Sequence, residues 1–226
     1  MSPSSGLWSR APENLELTNE QVHLWRFRLD LPPTEIVKMK HLLSDDERSR
    51  ADRLIDPLKA RQFMVARGRL RQILARYTDL MPYHIRFNYG EHGKPVLANN
   101  TEKRLAFNLS HAGAWGVLSV IQGEEVGVDI ESIDPKMDYK QVASNFFSES
   151  EIDTLQHSIP KRRRRTFYRI WTRKEASIKR AGTGFSDQQT GDPKVTGRIK
   201  SFIVDQNTLG SVAVAEEITH VQRWAL

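Results

Sequence analysis

Three carboxylates and three lysines stand at spacings that suit phosphate chemistry. In EEVGVDIES, residues 124 to 132, Val126, Val128 and Ile130 alternate as a half-buried strand does, which puts Asp129 and Glu131 together on the opposite face. Neighbouring carboxylates on one face repel. They form either a solvated outer face or two ligands of a shared cation. FYRIWTRKEASIKRAGTGF reads as a long helix stopped by glycines, with Trp171, Glu175 and Lys179 at every fourth position along one side and Lys174 adjacent. An exposed Glu–Lys pair explains that spacing by itself. Beside Asp129 and Glu131, however, Glu175 becomes a third oxygen donor for a hard cation such as magnesium, which takes a few carboxylates and fills its other positions with water and phosphate oxygens. FNLSHAGAWG, 107 to 116, puts Ser110 and His111 at a strand end before a glycine turn, and EHGKPVL, 91 to 97, presents Lys94 on a turn. A satisfied strand-end histidine and a solvated surface lysine are the plainer readings of those two.

The elements that must position these residues repeat weakly. HLLSDDE, 41 to 47, and NFFSESE, 145 to 151, share an apolar pair followed by a helix N-cap pattern, and their offset is 104 positions. The same offset sets Val22 on Val126, Arg61 and Phe63 on Arg165 and Phe167, Arg69 on Arg173 and Arg76 on Arg180. Three separated segments in one register imply duplicated halves. Each half reads as a strand, a capped short helix, a long helix and later strands. The expected strands are 22–29, 84–89, 94–97, 104–110, 115–121, 126–132, 198–204, 211–217 and 220–226. The expected helices cover 34–55 with a break at Ser44, 58–78, 139–157 and 161–181. Strands and helices mix without strict alternation, so the fold class is α+β. Residues 1–21 form a loosely held polar arm, 22–123 an N-terminal subdomain and 124–226 a C-terminal one. Two similar subdomains about a pseudo-twofold axis leave a cleft between them, where ligand sites are favoured. At the repeat offset, Asp129 and Glu131 stand where the first half has Trp25 and Phe27, and Glu175 where it has Arg71. Folding would be served by apolar or neutral residues there, which turns the carboxylates toward function.

Composition narrows the classes. The chain has 226 residues, 38% hydrophobic and 27% charged, as soluble globular proteins do. It has no cysteine, which removes disulfides, thiolate metal sites and thiol nucleophiles. No apolar run approaches a membrane span, and the first residues lack the pattern of a secretory signal, so a cytoplasmic location is expected. The net charge of +6 and pI of about 9.6 favour anionic partners. KRRRR at 161 to 165 is the densest basic run, either a solvated helix face or a surface that steers an acidic partner.

GKP, FNLSHAG, VGVDIE, FFSESE and WTRKEASIKRAGTG occur in an order and spacing that resembles the 4′-phosphopantetheinyl transferases, in particular the larger, pseudodimeric surfactin-type class. The likeness spans about residues 22 to 220, and GVDIE paired with WTRKEA is its most specific part. It implies two α+β lobes holding coenzyme A between them. It implies transfer of the phosphopantetheine arm to a serine of an apo acyl or peptidyl carrier protein, releasing adenosine 3′,5′-bisphosphate. Asp129, Glu131 and Glu175 would hold magnesium, with manganese able to substitute. Glu175, directly or through a metal-held water, would accept the serine proton, and Lys179 and His111 would balance charge as the pyrophosphate breaks. Lys94, Ser110 and Arg67 would hold the 3′-phosphate end of the nucleotide, with Arg61, Arg69 and Arg71 competing for the role of Arg67, and Lys174 would meet a phosphate. Glu47 stands where some relatives have a basic side chain, leaving Arg48 and Arg50 as substitutes.

The implied partner is an acidic carrier in a transient complex, serving fatty acid, polyketide or nonribosomal peptide synthesis. A monomer is expected, with no nucleic acid or membrane engaged. A metal-dependent phosphodiesterase or nuclease would use the same carboxylates with water as nucleophile, but the two-metal cluster of Asp and His is missing. A nucleic-acid binder would interleave aromatics with its basic run, and KRRRR has none inside it.

Overall fold

The computed structural model describes residues 8–90, 93–98, 104–182 and 197–226. The first seven residues of the expected arm, Glu91 and His92 before the Gly-Lys-Pro turn, and the stretch after Gly182 up to residue 196 lie outside the described residues. In chain order the elements are β1 (Ser9–Arg10), β2 (Gln21–Arg28), α1 (Pro33–Leu42), α2 (Asp45–Asp52), α3 (Pro57–Ala75), β3 (Phe87–Tyr89), β4 (Pro95–Leu97), β5 (Leu105–Ala112), β6 (Trp115–Gln122), β7 (Gly127–Ser132), α4 (Tyr139–Phe146), α5 (Glu149–His157), α6 (Arg163–Ala181), β8 (Arg198–Asp205), β9 (Thr208–Val214) and β10 (His220–Ala225). The class is α+β. No helix among the described residues is long and apolar enough to cross a membrane.

The repeat has a structural counterpart in local chemistry. Ser44 caps α2 through a capping box with Glu47, and Ser148 caps α5 through one with Glu151, so each pair satisfies two backbone donors at a helix start. Both caps break the run of helix before them, which is why 34–55 and 139–157 each divide in two. The helix that follows, α3 or α6, lies on the strand that precedes the pair. Then the register changes. Trp25 pairs with Leu118 between β2 and β6, while Asp129 pairs with Ser211 between β7 and β9. The strand keeps the offset of 104, but its partner is displaced by 93. The β8–β9 hairpin therefore matches the β5–β6 hairpin, and β9 begins three residues before the expected 211. Asn207 donates its backbone N–H to the Asp205 carboxylate and closes that hairpin early.

Two larger sheets carry the halves, β1-β10-β2-β6-β5 and β7-β9-β8, and β3 pairs with β4 in a separate two-stranded ribbon. β10, numbered with the second half, runs parallel to β2 and completes the first sheet, and β1 pairs on its far side. The described part of the arm is thus held. Trp8 adds an indole N–H bond to the Ile203 carbonyl and an edge-on contact with Phe202. Alternation along β2 faces Trp25 and Phe27 into a core with Leu70, Ile73 and Leu74 of α3, and Val22 and Leu24 into a second core with Val128 and Ile130 of β7. On β7 the same alternation turns Asp129 and Glu131 toward α6. The first half fills the space under its helix with an indole and a phenyl ring, and the second half fills it with two carboxylates.

Candidate active site

Asp129 is 3% exposed, which rejects a solvated outer face. Its Oδ1 accepts from Lys179 Nζ at 2.6 Å and from the Ser110 hydroxyl at 3.1 Å, while its Oδ2 is buried with no hydrogen-bond partner. Burial pushes the Asp129 carboxyl above its usual range, with the Lys179 ammonium pulling the other way. Glu131 is raised by burial and then by the charge of Asp129; the Trp171 indole N–H donates to it and holds it back in part. Glu175 is pushed up to about 7, first by burial and then by the charges of Asp129 and Glu131, against the pull of Lys179. The three carboxylates therefore share one electrostatic environment between β7 and α6. They are not gathered into a ligand cluster: among the described residues no group of three His, Asp or Glu side chains is disposed to hold a metal ion. The positive charge nearest Asp129 is Lys179. Asp129 Oδ2 is nonetheless buried without a partner beside two mutually repelled glutamates, and an all-oxygen set of this kind would suit a hard divalent ion.

Two features bring α6 this close to β7. Gly127 lies against the backbone of α6, where a Cβ would stand 2.0 Å from the Ala176 carbonyl oxygen and 2.4 Å from the Arg180 nitrogen. α6 then ends at Gly182, whose φ of 70° is the left-handed cap that glycine adopts without strain.

The first half meets this site along β5. β5 and β7 lie side by side, joined by side chains: Asn108 Oδ1 accepts from the Val128 N–H at 2.9 Å, and the Ser110 hydroxyl accepts from the Ile130 N–H at 3.2 Å. Ser110 is thereby committed to β7 and Asp129 at once. His111, the next residue, stands at the strand end, and its pKa is lowered by desolvation of the ring and then by the Lys179 charge. Lys94 is not a solvated turn lysine: its Nζ reaches Glu125 Oε2 at 2.6 Å and the carbonyl of Lys179 at 3.2 Å, which ties the Gly-Lys-Pro turn to the last turn of α6.

Two expected site residues are engaged elsewhere. Arg67 donates through Nε to Glu47 Oε1 at 2.6 Å and through Nη2 to the Tyr89 hydroxyl, and its guanidinium lies 4.6 Å from the Phe87 ring centre. Arg71, one of its competitors, donates to the other Glu47 oxygen at 2.8 Å. Lys174 pairs with Glu151 at 3.1 Å. Both basic groups thus sit on the capping-box glutamate of their own half. Sequence reasoning missed three contributors: Asn108, Trp171 as a donor to Glu131, and Gly127 as the point of closest approach. Alternation of Asn108 with Ser110 on one face of β5 was the readable signal for the first.

Comparison with known proteins agrees with both halves. Residues 125–223 match the family described as the 4′-phosphopantetheinyl transferase superfamily, and residues 32–123 match its N-terminal family, described as 4′-phosphopantetheinyl transferase, N-terminal. The chain is 33% identical over 221 residues to the 4′-phosphopantetheinyl transferase HetI of Nostoc sp., covering 92% of this chain and 93% of that protein. It is 28% identical over 156 residues to the 4′-phosphopantetheinyl transferase Sfp of Bacillus subtilis, covering 69% and 67%.

Proposed function

The chain belongs to the 4′-phosphopantetheinyl transferase superfamily, and from that premise we propose how its own residues divide the work. The enzyme transfers phosphopantetheine from coenzyme A to a carrier protein. We propose that the acceptor is a carrier serine, that the reaction needs magnesium, with manganese able to substitute, and that it releases adenosine 3′,5′-bisphosphate. Asp129, Glu131 and Glu175 would hold the ion; when bound, it offsets the negative charge that keeps a nucleophile from a pyrophosphate.

The protein's own groups carry the rest. Glu175, whose carboxyl burial and the neighbouring acids push up to about 7, is suited to take the serine proton, either directly or through a bound water. The serine oxygen then bonds to the phosphorus that carries the pantetheine arm. The bond from that phosphorus to the bridging oxygen breaks, and the electron pair leaves with the nucleotide phosphate. Lys179, placed by Asp129 and beside His111, would balance the charge that builds on the leaving oxygen. His111 would offer a ring hydrogen bond at the same point. Lys94 and Ser110 stand beside this point on the first half's side and would meet the nucleotide portion. Arg67 and Lys174 would reach a phosphate only by sharing their charge with Glu47 and Glu151. The basic surface of the chain would favour an acidic carrier in a transient complex.

The observation that carries this reading is the placement of Glu175 on α6 beside buried Asp129, half-buried Glu131 and Lys179, whose charges and burial raise its carboxyl. Its test is the intact mass of an apo carrier protein incubated with coenzyme A, with and without magnesium. A gain equal to the phosphopantetheine arm that needs the ion is expected. Pyrophosphate cleavage of coenzyme A with no carrier modified would replace transfer with hydrolysis.

A further inference from the structure

Away from the carboxylates, α6 carries a second organised face. Arg162 at its N-cap and Arg165, Arg169 and Arg173 within it are spaced three and four residues apart, so they share one side over about 16 Å, turned roughly 90–120° about the helix from Glu175 and Lys179. Arg162, Arg165 and Arg169 line one wall of a groove of about 490 Å³ whose floor and other wall are Ser201, Phe202, Ile203, Leu209 and Gly210. Among the described residues no carboxylate lines it. Arg169 is exposed, and its charge lowers the pKa of Arg173 after burial has done so, with Glu151 pulling the other way. Ile203 is 54% exposed, an apolar side chain facing solvent beside the arginines.

β8 is the outer strand of its sheet, but its edge is closed to strand addition. Arg173 donates to the Ile199 carbonyl, Trp8 to the Ile203 carbonyl and Arg26 to the Val204 carbonyl. An occupant must therefore bind by its side chains, with an apolar residue toward Ile203 and acidic groups toward the arginines. Nucleic acid fits poorly, because Phe202 is buried edge-on against Trp8 and leaves no open ring on which a base could stack. We propose that the groove between α6 and β8 is a docking surface for an acidic, amphipathic helical peptide segment of a partner protein, separate from the transferase site.

The probe is a labelled helical peptide with leucines on one face and glutamates on the other, titrated onto the full chain and read by fluorescence anisotropy. Saturable binding that weakens with salt is expected. Arg165→Glu with Arg169→Glu should weaken it by at least about tenfold, and Ile203→Asp, which leaves the arginines in place, should weaken it as well. Circular dichroism checks that each variant is folded, and the single change Arg162→Glu at the helix start serves if the double variant is not. Absence of saturable binding, binding unchanged in the folded variants, or displacement of the peptide by a single-stranded oligonucleotide of equal charge would each overturn the proposal.

Discussion

Gly127 and Ala176 are packed so closely that a methyl group on the glycine would fall 2.0 Å from the Ala176 carbonyl oxygen. That approach sets the depth at which Asp129 and Glu131 face Glu175 and Lys179. Gly127→Ala must push α6 away from β7, and overpacking of this kind costs about 1–3 kcal/mol. We expect a lower unfolding midpoint and a loss of transfer larger than the fraction unfolded explains. Gly123→Ala is the control, since its φ of 81° is strained for alanine while its Cβ position is open; it should cost stability without the excess loss of activity. Equal effects of the two on activity would remove the helix spacing from the account.

Glu175 gives a pH signature. Its carboxyl moves from an ordinary 4.5 to about 7 on folding. A raised folded pKa contributes stability that is fully present below 4.5 and lost as pH rises through 7, roughly 1–3 kcal/mol once solvent screening of this half-buried group is allowed for. Glu175→Gln should therefore be more stable than the parent at pH 8 and no more stable at pH 4, in denaturant titrations without metal. Equal stability at pH 8 would mean that the carboxyl is not raised.

His23 runs the other way. Its Nδ1 lies 2.8 Å from the Tyr77 hydroxyl and its Nε2 3.4 Å from Gln21 Oε1, which can only accept; a neutral ring with its proton on Nε2 satisfies both contacts, with Tyr77 donating to Nδ1. Burial lowers its pKa from 6.5 to about 4. A depressed pKa contributes stability present above 6.5 and lost as pH falls through 4, about 3 kcal/mol in all. Nitrogen NMR should show His23 neutral at pH 5.5, with its proton on Nε2; a ring half-protonated at pH 6.5 would contradict this.

Trp171 ties the aromatic cluster of α4, α5 and α6 to a carboxylate, with its ring 6.2 Å from Phe167 and its N–H on Glu131. Trp171→Phe keeps the stacking and removes the donor. Loss of a partner that orients a metal-holding group weakens metal affinity by about 10–100-fold. Calorimetric titration with manganese should show that loss, with the unfolding midpoint changed little. Unaltered affinity would leave Trp171 a packing residue only.

Much of the architecture is legible because it is local. The capping boxes at Ser44 and Ser148, the glycine stop of α6 and the alternation along β2 and β7 are each written within a few residues, and the offset of 104 joins them. Two of the three acids proposed for the site, Asp129 and Glu131, drew notice for the same reason: they stand where the first half has Trp25 and Phe27 in its core, while Glu175 stands where it has Arg71. What escaped depends on distant pairing. Nothing near residues 220–225 says that β10 lies parallel to β2, and the change of offset at the second hairpin arises in the chain before it. Arg67 and Lys174 look like free phosphate ligands until Glu47 and Glu151, each used also as a helix cap, are seen to hold them.

The central claim is that Asp129, Glu131 and Glu175 together bind one divalent ion. Manganese titrated onto the enzyme with coenzyme A present, followed by electron paramagnetic resonance of the free ion, tests it directly. We predict one ion per chain, with the site lost in folded Asp129→Ala and Glu175→Ala. Binding of the same stoichiometry and affinity in either variant would contradict the claim.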